Sequence, residues 1–582
     1  MFHGKGRGSW SEDQATSPQK TYGPNNVAYN IRLPGPAATQ PCYRQPRPSD
    51  SASRPSSTDY EIERIFKQPK TRPISQRQLV FEIKAIYAGL LMVENKCIEV
   101  VSAQNALGDG ANTKFNNEQW QALISLHRTL LYEYHDFFLA TQHPSSSPAM
   151  RRLASKYAMP ARIWRYGIHN FLELLRHRLP ASLEHMLTFI YLAYAMMALL
   201  YETVPAFKDT WIECLGDLAR YRMAIEDDNV RDYEAWTAVS RGWYSKASDK
   251  APTIGRLYHH QAILARPNAF QQLFYYGKSL CVATPFVPTK DSIQTLFGPI
   301  MSEQRTTSIQ HLFVLINAIL FTGKMPERFE SVLQDFTKTL DIHIRSTHRF
   351  QEQGYHIGIT VCYTLIGYGC AANPVMKAFQ QAKGINAAIN EADTSDTTPA
   401  SQEDAIKFAM ATHAVIFKRT GDPNVLSYVL TTLVFMRYVM FFPEIEYLAR
   451  RFPWNLASSL LNKLIGIEHW YLFETQDFPR SSKEAGRRPL PEDYAMRGLP
   501  WADWYFPDDW FSNGKTEDEE RGLETAAMEH ERKFRILALA YQIAQDSRYL
   551  RYDKEARQFI SPESGVEIKP DDMMRIDIIL SN

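Results

Sequence analysis

Cysteine is scarce in this sequence, and the cysteines that occur are not spaced like metal ligands or redox pairs. No CxxC motif appears, and no cysteine stands at zinc-like spacing from a histidine. The six residues are Cys42, Cys97, Cys214, Cys281, Cys362 and Cys370. Isolated cysteines of this kind are typical of free thiols in a reducing compartment. We therefore predict no metal site and no cofactor.

The residue patterns of common catalytic sites are also missing. The sequence has no glycine-rich phosphate loop and no nucleophile elbow. A metal-dependent nuclease needs a carboxylate cluster on an α/β fold, and Asp571, Asp572 and Asp577 near the end of the chain do not form one. Few residues follow Ile560, so we expect no nuclease domain and no catalytic residues.

The chain has neither a strong charge of one sign nor a long apolar run. Its net charge is +1, so binding of a polyanion would have to come from local patches. The longest apolar run, 186–201, is shorter than the roughly 20 residues that span a bilayer. It predicts a fully buried helix and no membrane contact. No secretory signal is visible, so we expect a cytoplasmic and nuclear protein.

The composition changes near residue 58. Residues 1–58 are rich in Pro, Ser, Gln and Gly and carry seven basic against three acidic side chains. Such a segment buries too little apolar surface to offset the entropy of ordering, so it predicts a disordered basic leader. The rest of the chain shows helical periodicity. The segments 230–252, 253–267 and 268–286 resemble tetratricopeptide pairs, each covering the next.

These patterns predict an all-α fold that divides near Pro285. A helical N-terminal domain is expected to precede a domain of helical hairpins. The predicted parts are the leader 1–58, the first domain 59–286, the second domain 287–560 with mobile insertions at about 383–404 and 475–525, and the tail 561–582.

Three motifs in the middle of the chain resemble a known family. They are GDLARY (216–221), GRLYHHQAILAR (255–266) and LFYYGKSLCVATPF (273–286). Near the C-terminus, RPLPEDYAMRGLPWADWYFPDDWF (488–511), RILALAYQIA (535–544) and YLRYDKEARQFI (549–560) extend the match. Together they resemble the EST-one/SMG-seven-like family of telomerase-associated and nonsense-mediated mRNA decay adaptors. The resemblance implies a 14-3-3-like tetratricopeptide domain followed by an EST-one-type DNA/RNA-binding domain, in a short form without the nuclease domain.

The 14-3-3 resemblance implies a pocket for a phosphorylated Ser or Thr. Arginine binds a phosphate dianion as a fork, and a tyrosine hydroxyl adds a hydrogen bond. The resemblance implies the following pocket residues: Arg128, His135, Arg220, Tyr221 and His259. His135 stands where a second arginine would be expected. The alternative is that Arg220 simply forms an ion pair with Asp217 or Glu213 on its own helix.

The implied partner is the phosphorylated RNA helicase of mRNA surveillance, with other decay adaptors or deadenylation and decapping factors as further partners. A second hypothesis is a telomerase-associated protein that binds RNA or single-stranded telomeric DNA. Basic residues interleaved with aromatic ones suit phosphate contacts and base stacking. The candidates are Arg151, Arg152, Lys156, Arg162 and Arg165. The alternative is a solvated helix face, which the near-zero net charge also allows.

Overall fold

The structure is a computed structural model of the chain. It describes residues 74–106, 115–226, 229–303, 308–347, 350–382, 402–465, 478, 488–512 and 524–562. The predicted leader lies outside the described residues, and so do most of the first predicted insertion, about 383–404, and of the tail. The second predicted insertion, about 475–525, is described at 478, 488–512 and 524–525. Its Leu490, Met496 and Trp501 are buried in the core, so this part is not a mobile insertion.

The described part is all-α, as the sequence predicts. The first helices are α1 (Gln76–Ala106), α2 (Asn117–Gln142), α3 (Pro148–Arg151), α4 (Leu153–Lys156), α5 (Met159–Arg162), a π-helical segment (Ile163–His169), α6 (Asn170–His177), α7 (Leu183–Thr203) and a 3₁₀ turn (Pro205–Phe207). They are followed by α8 (Lys208–Ala224), α9 (Val230–Lys250), α10 (Gly255–Leu264) and α11 (Ala269–Cys281).

The second half continues with α12 (Thr289–Ser292), α13 (Gln294–Ser302), α14 (Ile309–Thr322), α15 (Phe329–Ser346), α16 (Phe350–Leu365), α17 (Pro374–Ala382), α18 (Gln402–Phe417), α19 (Leu426–Val439), α20 (Tyr447–Arg451), α21 (Trp454–Ile465), α22 (Pro491–Met496) and α23 (Ala526–Asp546). Short 3₁₀ turns lie at Pro326–Arg328, Gly367–Gly369, Pro423–Val425 and Pro443–Ile445. The two strands, β1 (Arg551–Asp553) and β2 (Gln558–Ile560), form an antiparallel hairpin in which Tyr552 pairs with Phe559.

Local signals in the sequence set several helix ends. Asn116 begins α2 with a capping box: its side chain accepts from the Gln119 amide at 2.8 Å, and the Gln119 side chain accepts from the Asn116 amide at 2.9 Å. Asn229 caps α9 in a similar way. Gly323, with φ of 67°, ends α14 in the left-handed conformation that glycine adopts without strain. These ends fix the lengths of the helices that carry the candidate residues.

The hydrophobic core does not divide where the sequence predicts. One cluster of buried residues runs from Leu79 to Tyr221, and a larger one runs from Tyr258 to Phe559. The predicted boundary at residue 286 therefore falls inside the larger cluster, and α10 and α11 pack with the C-terminal helices. The reason is a close helix contact: a Cβ atom at Gly277 of α11 would lie 2.3 Å from the Tyr363 ring of α16. The tetratricopeptide-like and 14-3-3-like descriptions of the N-terminal part stay predictions.

Helix α7 is not fully buried, which corrects the expectation from its apolar sequence. Among the described helices, it alone has the length and apolar composition that could cross a membrane. One side packs in the core through Met186, Phe189 and Ile190, which are buried. The other side leaves Tyr191 52% and Leu199 41% exposed. The apolar run thus forms one helix face that packs in the core and another that is exposed at the surface.

A network of buried ion pairs joins α22 to α23. Arg535 donates to both carboxylate oxygens of Asp493 at 2.7 and 2.9 Å, and all these side chains are inaccessible to solvent. Arg532 donates to Glu492 at 2.5 Å on the preceding residue. Asp493 also accepts from the Trp510 indole at 3.1 Å and from the Leu490 amide at 2.9 Å. Glu492 and Asp493 therefore have a structural role, because their ion pairs hold α22 against α23 in the C-terminal core.

Replacement of Arg535 by methionine should destabilise the protein strongly. The variant leaves Asp493 buried without its cationic partner, a loss that typically costs about 3–5 kcal/mol. Denaturant unfolding of wild type and Arg535→Met measures the difference. The matched control is Arg548→Met, because Arg548 pairs with Glu446 at 2.7 Å at an exposed position. The control should change stability by less than about 1 kcal/mol. Equal losses in the two variants would contradict the assignment of Arg535.

Candidate functional site

Helix α8 carries the candidate arginine, and a glycine allows α9 to lie directly against it. A Cβ atom at Gly216 would lie 3.0 Å from a carbon of the Tyr244 ring. The Ser240 hydroxyl donates to the Gly216 carbonyl at 2.9 Å. The absence of a side chain at Gly216 therefore brings the Tyr244 hydroxyl to the next turn of α8.

Arg220 is buried and lies in a hydrogen-bonded group with Asp217 and Tyr244. Its Nη2 donates to Asp217 Oδ1 at 3.1 Å and its Nε to the Tyr244 hydroxyl at 3.4 Å. The Tyr244 hydroxyl in turn donates to the same Asp217 oxygen at 2.5 Å. Burial opposes the charge of Arg220, but Tyr244 and Asp217 outweigh burial and raise its pKa. The own-helix ion pair that the sequence offered as an alternative is present.

Tyr221 faces a carboxylate of a different helix. Its hydroxyl donates to Glu173 Oε1 on α6 at 2.7 Å. Glu173 also accepts from the guanidinium of Arg176 at 2.5 Å. Burial and the neighbouring Glu173 raise the pKa of Tyr221, so the hydroxyl stays protonated. Its proton is directed at Glu173, which gives Tyr221 a structural role in joining α6 to α8.

His259 lies close to Arg220 and is neutral. Its Nε2 is 2.9 Å from the Ser292 hydroxyl, and its ring lies 5.1 Å from that of Phe286. Burial, with a smaller effect from the charge of Arg220, lowers the pKa of His259 to about 4. The structure therefore brings Arg220, Tyr221 and His259 into one region, but His259 brings no positive charge at neutral pH.

Three further side chains belong to this region and were not expected from the sequence: Tyr244, Arg256 and His260. Arg256 forms an ion pair with Glu213, and the ring of His260 stacks on that of Tyr244 at 4.9 Å. The spacing of Glu213, Asp217 and Arg220 at three and four residues could have indicated one charged face. The two guanidinium groups are balanced by two carboxylates. A bound anion must therefore displace a carboxylate rather than fill an empty cationic pocket.

Arg128 and His135 lie on α2, around the π-helical segment. Arg128 is exposed, and its guanidinium lies 5.8 Å from the Tyr132 ring centroid. The neighbouring His127 bonds the Gly167 carbonyl at 2.9 Å, while Tyr221 packs on His169 at 6.4 Å. Tyr221 and His127 thus contact the same segment from two helices, whereas Arg128 lies on the exposed side of α2 beside Tyr132, and no contact among the described residues joins it to Arg220. His135 lies two turns along α2, 3.5 Å from the carboxylate of Asp136.

The basic run from α3 to the π-helical segment is exposed except for one residue. Arg151, Arg152, Lys156 and Arg165 are all exposed. Arg162 differs because it pairs with Glu94 at 2.7 Å, and Glu94 also accepts the Tyr134 hydroxyl. Arg162 neutralises this buried carboxylate, so we no longer assign it to a nucleic-acid surface. Beside the run, Tyr157 stacks on Tyr87 with ring centroids 5.2 Å apart.

No group of three or more His, Cys, Asp or Glu side chains in the described part of the chain is arranged to hold a metal ion. Within the C-terminal motif 488–511, Trp501 is completely buried and cannot stack on a base. The chemistry of the site is therefore that of ion pairing and hydrogen bonding.

Known proteins resemble this chain both in sequence and in fold. The family profile described as Est1 DNA/RNA binding domain matches residues 240–500. EST/SMG-like protein 2 of Saccharomyces cerevisiae (strain ATCC 204508 / S288c) is 22% identical over 239 residues, which is 40% of this chain and 19% of the relative. Telomerase-binding protein EST1A of Danio rerio is 37% identical over 87 residues, which is 14% of this chain and 5% of the relative. The middle of the chain is therefore similar to the Est1/SMG-like family, and the matches span 19% and 5% of the two relatives' own lengths.

A solved structure supports the Est1/SMG-like fold over a longer stretch. A chain from the crystal structure of Est1 and Cdc13 aligns with a TM-score of 0.51 at 11% identity. The alignment covers 81% of this chain and all of that chain. The family profile begins within α9 and ends just beyond α22, so it spans the helices α10 and α11 that pack with the C-terminal core.

Acid should destabilise this protein below about pH 6.5, because five histidines of the described residues are buried. They are His127, His259, His260, His356 and His413. Burial lowers the pKa of His127 to about 4 and that of His356 and His413 to about 3. The native state then binds fewer protons than the unfolded state, so stability present above about pH 6.5 is lost as the pH falls. Each group can contribute up to about 1.4 kcal/mol per pH unit.

Denaturant unfolding between pH 7.5 and 5 measures this slope. His413→Gln should make the slope shallower whatever its effect on stability at pH 7.5. The exposed His177→Gln is the matched control and should leave the slope as in the parent chain. An equal slope in the parent and in His413→Gln would contradict the buried neutral state of His413.

Proposed function

We propose that this chain is a non-catalytic adaptor, acting in the cytoplasm and nucleus, that binds a phosphorylated Ser/Thr segment of an mRNA-surveillance factor. The phosphorylated RNA helicase of that pathway is the proposed partner, and the adaptor would recruit decay factors to it. The observation that carries the proposal is the position of Arg220. Its guanidinium is held between Asp217 and Tyr244, with Tyr221 and His259 beside it.

A phosphate group can compete for Arg220 because of its charge. A phosphoserine carries about −1.5 to −2 charges near pH 7, whereas Asp217 carries one. Charge-assisted hydrogen bonds to a fork of guanidinium nitrogens are among the strong ones. The exposed Arg128 of α2 is proposed as a second cation on the basis of the family resemblance. Binding is thus proposed to exchange the Asp217 contact for two contacts with phosphate.

Removal of the competing carboxylate should strengthen phosphopeptide binding. In Asp217→Asn, Arg220 can still donate to the Tyr244 hydroxyl but loses its internal anionic partner. A charge-assisted hydrogen bond is worth about 1.5–3 kcal/mol, so affinity should rise by about tenfold or more. Arg220→Lys keeps the charge but loses the fork and should weaken binding by about tenfold. Titration of matched phosphorylated and unmodified peptides measures both changes.

The same helix offers matched controls for both variants. Arg222 is buried and pairs with Glu226 at 2.5 Å, as Arg220 pairs with Asp217. Glu226→Gln and Arg222→Lys should leave phosphopeptide affinity unchanged, and circular dichroism confirms that each variant is folded. The proposal fails if Asp217→Asn and Glu226→Gln behave alike, or if the unmodified peptide gains affinity equally.

A second candidate is nucleic-acid binding in a telomerase-associated role. Two observations favour it: the match to the Est1 DNA/RNA binding domain and the exposed cations of α3–α5. One relative is named telomerase-binding protein, and one structural neighbour is a chain from the crystal structure of Est1 and Cdc13. Arg151, Arg152 and Lys156 lie within two turns of chain, beside the ring of Tyr157. RNA or single-stranded telomeric DNA is the proposed ligand.

This candidate predicts a change in salt dependence. Each neutralised phosphate on a single strand contributes about 0.7 to the slope of log affinity against log salt. Arg151→Ala, Arg152→Ala and Lys156→Ala together should lower the slope by up to about 2 units. Titration of a single-stranded oligonucleotide at several salt concentrations measures it. The control removes three exposed lysines elsewhere, Lys84, Lys324 and Lys338. Equal slopes in the two triple variants would reject this surface.

A further inference from the structure

A cavity of about 170 Å³ lies where α9, α10 and α11 meet α16 and α22. Aromatic and aliphatic side chains form much of its wall: Tyr258, Phe274, Tyr355, Pro491 and Ala495. A cavity of about 150 Å³ can hold one benzene ring, whereas sites for drug-sized ligands measure about 300 Å³ or more. The size of the cavity therefore limits its occupant to a small molecule or a single side chain.

Lys278 of α11 brings a charged group to this cavity, although it is only 1% exposed. Its ammonium donates to the Tyr494 carbonyl at 3.1 Å and lies 4.3 Å from the centroid of the Tyr258 ring. No carboxylate of the described residues forms an ion pair with it. Because an ammonium has three N–H donors, two of them have no oxygen or nitrogen acceptor in the described part of the protein. A buried charge in this state favours an anion that enters the cavity.

The other charged side chains of the cavity leave one positive charge in excess. Asp249 of α9 is the only carboxylate among the described residues that line it. Arg497 is a second cation, and its guanidinium also packs on the Phe511 ring at 4.4 Å. His356 is uncharged, because burial lowers its pKa to about 3. With Lys278 protonated, one monoanion would neutralise the lining groups, whereas a dianion would leave a negative charge without a partner at low dielectric.

We propose that this cavity binds a small carboxylic acid, in its ionised form, with an aromatic or aliphatic stem. The carboxylate would accept hydrogen bonds from Lys278, and the stem would lie against Phe274 and Tyr355. Charge-assisted hydrogen bonds are strong, and the low dielectric of a buried site strengthens them. Gln271 and Arg497 are only half-buried, so the cavity opens to solvent on their side and a ligand can enter there.

The proposed ligand does not depend on phosphate binding at Arg220. Gln261 lines the cavity and donates to the main-chain carbonyl of Tyr244 at 3.3 Å, whereas the Tyr244 hydroxyl bonds Arg220. The two regions thus share α9 but no side chain. A nucleotide is excluded by the size of the cavity and by its several negative charges. Failure of either proposal therefore leaves the other in place.

Isothermal titration calorimetry of the full chain near pH 6.5 tests the proposal with three probes: benzoate, benzamide and inorganic phosphate. Benzamide has the shape of benzoate but no charge, so benzoate should bind more tightly by about tenfold or more. Phosphate has no apolar stem and should not bind through Lys278. Equal affinity for benzoate and benzamide would overturn the proposal, and so would phosphate binding that exceeds benzoate binding and depends on Lys278.

Lys278→Met keeps the length of the side chain and removes its charge. The variant should lose the preference for benzoate over benzamide while its affinity for benzamide stays the same. The matched control is Lys533→Met, because Lys533 is half-buried and pairs with Glu529 at 2.7 Å on α23, outside the cavity. This control should keep the wild-type preference, and circular dichroism confirms that both variants are folded.

A preference for benzoate that survives in Lys278→Met would contradict the proposal. A short peptide with one Glu, acetylated and amidated at its ends, separates the small acid from an acidic side chain. If this peptide binds more tightly than benzoate and loses its binding in Lys278→Met, the small acid is overturned in favour of a protein partner.

The pH dependence of the wild-type chain is a second measurement that requires no variant. Burial, together with Arg497 and against the effect of Asp249, lowers the pKa of Lys278 to about 7. A carboxylate binds the protonated lysine, so benzoate affinity should fall above about pH 7 by up to about tenfold per pH unit. Binding in this range should also take up a proton, which calorimetry in two buffers of different ionisation enthalpy measures.

The other groups around the ammonium do not account for such a change. Burial raises the pKa of Tyr258 and Tyr355 and lowers that of His356, so all three stay uncharged between about pH 7 and 9. Helix α22 presents only the main-chain carbonyl of Tyr494 to the ammonium among the described contacts. Benzoate affinity that stays constant from about pH 6.5 to 9, without proton uptake, would reject Lys278 as the binding group.

Discussion

The pairing of Asp493 with Arg535 is the interaction on which the C-terminal part of the fold depends. A carboxylate with no solvent access is tolerated only beside a cation, and the guanidinium fork satisfies both of its oxygens. The pair fixes the start of α22, whose Tyr494 carbonyl accepts from the buried Lys278 of α11 at 3.1 Å. Two residues past the end of α22, a Cβ atom at Gly498 would lie 2.2 Å from the Pro252 carbonyl. The turn can therefore join α9–α11 to the C-terminal helices only with glycine there.

The pairing of each cation with a carboxylate also determines the charge of the region around Arg220. Its guanidinium and that of Arg256 are matched by Asp217 and Glu213, so the buried charge sums to about zero. Such a site has no net positive charge before a ligand binds. An anionic ligand therefore binds only if it interacts with the guanidinium more strongly than the internal carboxylate does. Specificity for a dianion over a monoanion follows from that competition. The balance also explains why a neutral His259 suits the position.

The sequence predicts the helices well because their periodicity and caps are local. The motif GDLARY also singles out Arg220 and Tyr221, which the structure brings together with His259. The interactions that the sequence does not predict are contacts between residues far apart in the chain. Glu94 pairs with Arg162 from 68 positions away, and Glu173 accepts from Tyr221 across 48. The division of the core fails for the same reason, since only the folded chain brings Gly277 against Tyr363. Apolar composition alone could not separate the buried from the exposed face of α7.

Helix α9 contributes both to the Arg220 region and to the cavity beside Lys278. Tyr244 and Ser240 face α8 and the Arg220 group, whereas Trp236 and Trp243 face α7. Coupling between the regions would require α9 to have two discrete arrangements, each favoured by one ligand. The contact at Gly216 leaves no space for such a shift toward α8, because Tyr244 already stands at van der Waals distance. The packing of α9 on α8 therefore favours a rigid scaffold around Arg220. An adaptor of this kind gains avidity by linking its partners rather than by changing shape.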